Sequence, residues 1–202
     1  MNRAVFLDRD GVINAAIWNP VEGKLDTPYR LEDFRLLPGA GQAVRAINQM
    51  GFLAVVVSNQ PGVAKGKCGP ELLEAINRRM LASLAEGGAR LDGVYYCLHH
   101  PDAVVPALRI HCSCRKPRPG LLVQAAKDLE IDLARSYMIG DQQADVEAGL
   151  AARCNTVLLD GHLPADARAE GSRARAHRVA RDLSGAVETI RRVEGGGSWR
   201  SS

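Results

Sequence analysis

The string Leu7-Asp8-Arg9-Asp10-Gly11 sets two carboxylates two residues apart, directly after a short apolar run, Ala4–Leu7. A carboxylate at the end of a buried strand can hold Mg²⁺ or attack an electrophilic centre. Two such charges repel, so burying them requires a cation or a displaced proton equilibrium. Gly11 lets the backbone turn sharply at that point. Two further polar clusters follow apolar runs in the same way. Ser58-Asn59 comes after Phe52–Val57, and Gly140-Asp141 comes after Ser136–Ile139, with Asp145 four residues on. A different chemistry is encoded by Cys97-x-His99 and Cys112-x-Cys114. Three thiolates and one imidazole suit a tetrahedral Zn²⁺ site. Four protein ligands leave no position for a reacting water, so such a zinc would be structural and would stiffen the surrounding loop. His99 is preferred as the nitrogen ligand because its spacing from Cys97 mirrors that of Cys112 and Cys114; His100 and His111 are alternative donors. Cys154 opens an apolar strand and reads as core, and Cys68 stands apart.

These residues need a scaffold. Gly39–Met50 carries apolar residues at Ala43, Val44, Ile47 and Met50, a helical spacing closed by Gly51. Phe52–Val57 is a continuous β-branched run, as in a strand buried on both faces, and Ser58–Gly62 reads as a turn. Helices are predicted over 71–84, 121–129, 143–151 and 183–193, and strands over 93–96, 136–139 and 155–159. Strands alternating with helices predict an α/β fold with a doubly wound parallel, Rossmann-like sheet. Ligands bind beyond the carboxyl ends of such strands, so the three polar clusters are expected to converge. The polar stretch that follows Asp8, to about Pro38, reads as a long loop or flap. Residues 97–119 are irregular, with four prolines. Beyond Gly161 the chain is rich in Ala and Arg; its Arg168–Arg192 cluster reads as a solvated face and 194–202 as a disordered tail. One domain is expected over 1–193, with a zinc loop at 97–116.

Composition bounds the function. The chain has 202 residues, 46% hydrophobic and 24% charged, with a net charge of +3. That charge, unclustered, gives no footprint for nucleic acid. No apolar run approaches the roughly 18 residues of a membrane span, and the first residues lack the length of a signal peptide. The five cysteines are too few and odd in number for a disulfide framework. A cytoplasmic, monomeric protein is expected. No G-x-x-x-x-G-K-[ST] loop is present, which argues against an ATP-using phosphotransferase.

LDRDGVIN resembles the first motif of the haloacid dehalogenase-like phosphatases. The resemblance implies that Asp8 is the nucleophile, forming an aspartyl-phosphate, and that Asp10 is the general acid/base. It further implies that the Ser58 hydroxyl and the Lys116 ammonium hold the transferring phosphoryl group. Asp8, Asp10 and Asp141 would bind Mg²⁺, with Asp145 behind them. YYCLHHP, CSCRKPRPG and SNQPGVAKGK narrow the resemblance to the heptose bisphosphate phosphatases and, less closely, the histidinol-phosphate phosphatases. Both carry a zinc-stiffened loop in place of a large cap domain. Within that family Ser58, Asn59, Gln60, Arg115 and Lys116 would contact a small phosphorylated sugar, with Arg115 placed to grip a distal phosphate. Two features depart from the family pattern: Ala15–Phe34 is longer than the usual flap, and Gln142 stands where a basic residue is common.

Overall fold

The computed structural model describes residues 1–20, 23–161 and 175–196. Six strands form one parallel sheet. In chain order they are β1 (Ala4–Leu7), β4 (Leu53–Asn59), β5 (Gly93–Cys97), β6 (Tyr137–Gly140), β7 (Asn155–Leu159) and β8 (Arg178–Ala180). Their spatial order is β5-β4-β1-β6-β7-β8. The chain therefore winds outward from β1 in one direction, returns to its other side at β6, and winds outward again. That reversal opens a crevice beyond the carboxyl ends of β1 and β6.

The strands are short, yet β1 and β6 are wholly buried and β4 and β7 nearly so, because alternate residues feed two cores. Val5, Leu7, Val56 and Ile139 face one core. It is closed by α1 (Ala40–Gln49), α2 (Pro70–Glu86) and α5 (Leu183–Glu194). Ala4, Phe6, Val55, Val57 and Met138 face the other, closed by α3 (Gly120–Asp128) and α4 (Gln143–Ala151). The helices present matching stripes: Ala43, Val44 and Ile47 on α1, and Ile76, Met80 and Leu84 on α2. With few aromatic residues available, aliphatic burial at roughly 25 cal/mol per Å² of apolar area carries the core.

Register sets the level of the site. Leu7 pairs with Val56 on one side and Ile139 on the other. The next residues, Asp8, Val57-Ser58 and Gly140-Asp141, thus lie side by side at the carboxyl ends of the strands, and the Asp8 amide donates to the Ile139 carbonyl at 3.0 Å.

The structure departs from the sequence reading in four places. The 10–38 stretch is not all loop: β2 (Ile17–Asn19) and β3 (Lys24–Asp26) form an antiparallel hairpin, with Trp18 opposite Leu25. β4 continues through Ser58 and Asn59, which pair with Tyr96 and Cys97 instead of turning. β8 was unforeseen and adds a parallel edge strand. Finally, Glu194 belongs to α5 and not to a tail. An acid at a helix C-terminus opposes the dipole. Here its ion pair with Arg3 and the 2.7 Å bond donated by the Tyr137 hydroxyl overcome that cost. The Ala- and Arg-rich stretch over 162–174 and residues 197–202 lie outside the described residues. No large cap domain is present among the described residues, and none of their helices is long and apolar enough to cross a membrane.

Candidate active site and metal centre

Asp8, Ser58, Lys116, Asp141 and Asp145 converge on one cavity of about 500 Å³ at the carboxyl ends of β1, β4 and β6, which Asp10, Asn59 and Arg115 also line. Lys116 is the hub. Its ammonium lies 2.9 Å from Asp8 Oδ1 and 2.5 Å from Asp145 Oδ1, and donates to the Val57 carbonyl at 2.9 Å. Burial alone would lower its pKa; the Asp145 and Asp8 carboxylates outweigh burial and hold it charged. Asn59 fixes the Lys116 backbone reciprocally, accepting from Lys116 N at 3.0 Å and donating to Lys116 O at 3.1 Å.

Asp8, Asp141 and Asp145 each offer a carboxylate oxygen within 4.8 Å of the others. Burial, then the neighbouring Asp145 and Asp8 charges, raise the Asp141 pKa well above the ordinary carboxylate range. Burial pushes Asp145 up to about 6 against the pull of Lys116. Three carboxylates and one ammonium leave excess negative charge, and the buried Asp141 Oδ1 accepts no hydrogen bond, while Asp8 Oδ1 meets the Lys116 ammonium at 2.9 Å. An unpaired hard oxygen donor in an over-charged pocket fits a divalent cation such as Mg²⁺. Two glycines permit this crowding. A Cβ on Gly11, whose φ is +79°, would lie 2.2 Å from Asp141 Oδ2, and one on Gly140 would lie 2.2 Å from the Asp145 Cβ. Asp145 is held at the α4 N-terminus by a reciprocal cap, accepting from Gln142 N at 3.0 Å.

Three site residues stand differently from the sequence reading. The Asp10 carboxylate is not part of the cation cluster; it is bound by Arg9, Asn14, Thr27 and Gln60. Gln60 is buried behind the cavity wall and donates to Asp10 at 2.7 Å and Ser58 at 3.1 Å, so it positions these side chains and does not face a ligand. Asp145, expected behind the cation, stands beside Asp8 and Asp141. Sequence reasoning missed Arg9 and Thr27. A fully buried arginine is rare, and nothing local marked its partners.

The second cluster is formed by one histidine and three cysteines. Cys97, His99, Cys112 and Cys114 bring their ligand atoms within 4.8 Å of one another, whereas His100 and His111 stay outside. The Sγ of Cys97 lies 3.6 Å from that of Cys112 and 3.3 Å from that of Cys114, and His99 Nδ1 lies 3.3 Å from Cys114 Sγ. A tetrahedral zinc with about 2.3 Å Zn–S bonds spaces its sulfurs about 3.8 Å apart, so the donor set fits. Burial raises the Cys97 pKa, while Cys112, with burial opposed by hydrogen bonds from Cys114 and Cys97, is lowered to about 6. None of the five cysteines is in a disulfide.

Residues 113–186 match the family model described as HAD-hydrolase-like, HAD standing for haloacid dehalogenase. The chain belongs to this family of hydrolases. Within it, the chain is similar to the D-glycero-beta-D-manno-heptose-1,7-bisphosphate 7-phosphatases. It is 42% identical to that of Escherichia coli K12 over 158 residues, covering 77% of this chain and 78% of the relative. It is 38% identical to that of Photorhabdus laumondii over 192 residues, covering 94% and 97%. Among solved structures it is similar to the D,D-heptose 1,7-bisphosphate phosphatase of B. bronchiseptica complexed with magnesium and phosphate. That match has a TM-score of 0.74 and 28% identity, covering 95% of this chain and 99% of the other.

Proposed function

We propose that this protein is a Mg²⁺-dependent phosphatase that removes the C7 phosphate of D-glycero-D-manno-heptose 1,7-bisphosphate, leaving heptose 1-phosphate. The observation that carries the reading is the convergence of Asp8, Ser58, Lys116 and Asp141 on one cavity, from four separate chain segments. Asp8 is the nucleophile. Its carboxylate oxygen forms a bond to phosphorus as the bond to the sugar oxygen breaks, and Asp10 gives that oxygen a proton. Water then attacks the aspartyl-phosphate, Asp10 takes a proton from it, and Asp8 is regenerated. Lys116 and the Ser58 hydroxyl hold the phosphoryl oxygens, supplying positive charge and a donor where charge spreads in the transition state. Mg²⁺, when bound by Asp8 and Asp141 beside Asp145, supplies the counter-charge that lets a carboxylate approach a dianion. Arg115, on the cavity rim, offers a fork for the distal phosphate of a bisphosphate.

The Cys97–His99–Cys112–Cys114 set would hold a structural Zn²⁺ that ties down the loop carrying Arg115 and Lys116. A thiol-rich site without disulfides suits a reducing compartment, so we place the enzyme in the cytoplasm. A phosphate-release screen over sugar bisphosphates and histidinol phosphate, with Mg²⁺ supplied, tests the substrate. The expected result is preference for the heptose bisphosphate, with the C1 phosphate retained in the product. Preference for histidinol phosphate overturns it.

A further inference from the structure

Arg9 is 0% exposed, and besides its contact with Tyr96 it donates hydrogen bonds to two side chains of the cavity wall, Asp10 and Thr27. Its Nη2 reaches both Asp10 oxygens at 3.1 Å, and its guanidinium lies over the Tyr96 ring, 5.6 Å from the centroid. The same Nη2 donates to the Thr27 hydroxyl, which itself lies 3.2 Å from Asp10 Oδ1. Asn14 donates to Oδ1 at 2.8 Å and Gln60 to Oδ2 at 2.7 Å. Arg9 Nη1, meanwhile, is buried without a hydrogen-bond partner. Leaving a buried donor unpaired costs about 1–3 kcal/mol, and an apolar side chain of similar volume would avoid that cost. Stability alone does not account for this residue.

Thr27 follows directly on β3, so the hairpin delivers it. The hairpin is anchored in turn. Asp26 pairs with Lys67 at 2.7 Å and accepts from the Tyr29 hydroxyl at 2.8 Å and the Asn19 amide at 3.2 Å. One unbroken set of polar contacts therefore runs from the loop after β4, through the hairpin, to the Asp10 carboxyl.

We infer that Arg9 and Thr27 are positioning residues: together they orient the Asp10 carboxyl for proton transfer, and the hairpin completes the catalytic constellation by supplying Thr27. This rests on the reading of Asp10 as the acid. The reacting step is unchanged: the proton leaves Asp10 for the sugar oxygen as the P–O bond breaks and the Asp8–phosphorus bond forms.

The leaving group separates this role from a structural one. An aryl phosphate expels a phenolate that needs no proton, whereas an alkyl phosphate expels an alkoxide that does. The test compares kcat/KM, which reports only steps up to aspartyl-phosphate formation. It uses p-nitrophenyl phosphate and the alkyl phosphate preferred in the screen above, for wild type, Asp10→Asn, Arg9→Lys and Thr27→Val. Asp10→Asn should lose about 100-fold or more on the alkyl substrate and far less on the aryl one. Arg9→Lys and Thr27→Val should show the same split, losing about 10-fold or more on the alkyl substrate and under about 3-fold on the aryl one. Thr27, at the cavity edge, carries the test if Arg9→Lys does not fold. Equal losses on both substrates, or none, with the split intact in Asp10→Asn, overturn the positioning role. Absence of the split in Asp10→Asn itself overturns the assignment of the acid instead.

Discussion

The two clusters able to hold a metal are neighbours in the chain, with two residues taking Cys114 of one to Lys116 of the other, yet they are built on opposite plans. The thiol–imidazole set offers four ligand atoms, enough for a closed tetrahedral shell. The carboxylate set offers three, and one of its oxygens, Asp141 Oδ1, is buried without a hydrogen bond. Its fourth charge is a lysine that would hold substrate. A complete shell fixes a loop, whereas an incomplete one leaves room for the reacting phosphate. A metal in the closed cluster would restrain the segment that carries Lys116 into the open one, so the comparison also predicts a hierarchy of damage.

The largest effect should come from the open cluster. Asp8→Asn should lower kcat about 10⁴-fold or more while zinc content and the unfolding midpoint stay near wild type. Turnover within tenfold of wild type would show that another group attacks phosphorus. Breaking the closed cluster should invert the pattern. Cys114→Ala should abolish zinc binding, measured by metal analysis, and destabilise the fold by about 3 kcal/mol. For a chain of this size that is a fall of roughly 6–12 °C in Tm. Activity should fall less than in Asp8→Asn, because Asn59 still holds the Lys116 backbone from both sides. An unchanged Tm would remove the structural role.

Protons sharpen the contrast further. Asp145 is raised to about 6 by burial and the Asp8 charge, and Asp141 well above its ordinary range by burial and the Asp145 and Asp8 charges. Without the cation, the folded protein binds more protons than the unfolded chain between about pH 4 and 6. Stability of the metal-free protein should therefore fall as pH rises through that window. Mg²⁺ requires the ionised carboxylates, so its apparent affinity should weaken as pH drops below about 6, by roughly tenfold per unit for each proton displaced. Calorimetry in buffers of different ionisation enthalpy would measure the released protons. A Mg²⁺ affinity flat from pH 5 to 7 would contradict these shifts.

Much of this was readable in the chain because the parallel sheet turns distant strand ends into neighbours. Once Ala4–Leu7, Phe52–Val57 and Ser136–Ile139 are read as strands, Asp8, Ser58 and Asp141 must meet. The grouping of Cys97, His99, Cys112 and Cys114 was readable because two short, evenly spaced donor pairs flank one irregular loop. Other features were not. The hairpin strands and β8 are three residues each, too short for alternation to register. Ser58-Asn59-Gln60-Pro61-Gly62 has the composition of a turn, and only pairing with Tyr96 and Cys97 keeps its first two residues in the strand. The neighbours of Asp10 were hidden because Thr27 and Gln60 reach it across 17 and 50 residues of sequence.

The smallest effect distinguishes three histidines within thirteen residues of one another. His99 Nδ1 stands among the sulfurs, 3.3 Å from Cys114 and 3.9 Å from Cys97. His100 lies outside that cluster and accepts from the Asp102 amide at 3.1 Å, a contact within its own turn. His111 is exposed beside Cys112. Replacing His99 removes one of four ligands, and a tetrahedral site so reduced takes up water and weakens. Replacing His100 removes its bond from the Asp102 amide, worth about 1 kcal/mol or less. His99→Ala should thus lose zinc in the presence of a mild chelator, while His100→Ala and His111→Ala keep one zinc per chain and a Tm within a few degrees of wild type. Zinc loss confined to His100→Ala or His111→Ala would mean that the loop closes around a different nitrogen, with Arg115 and Lys116 carried on a differently folded segment.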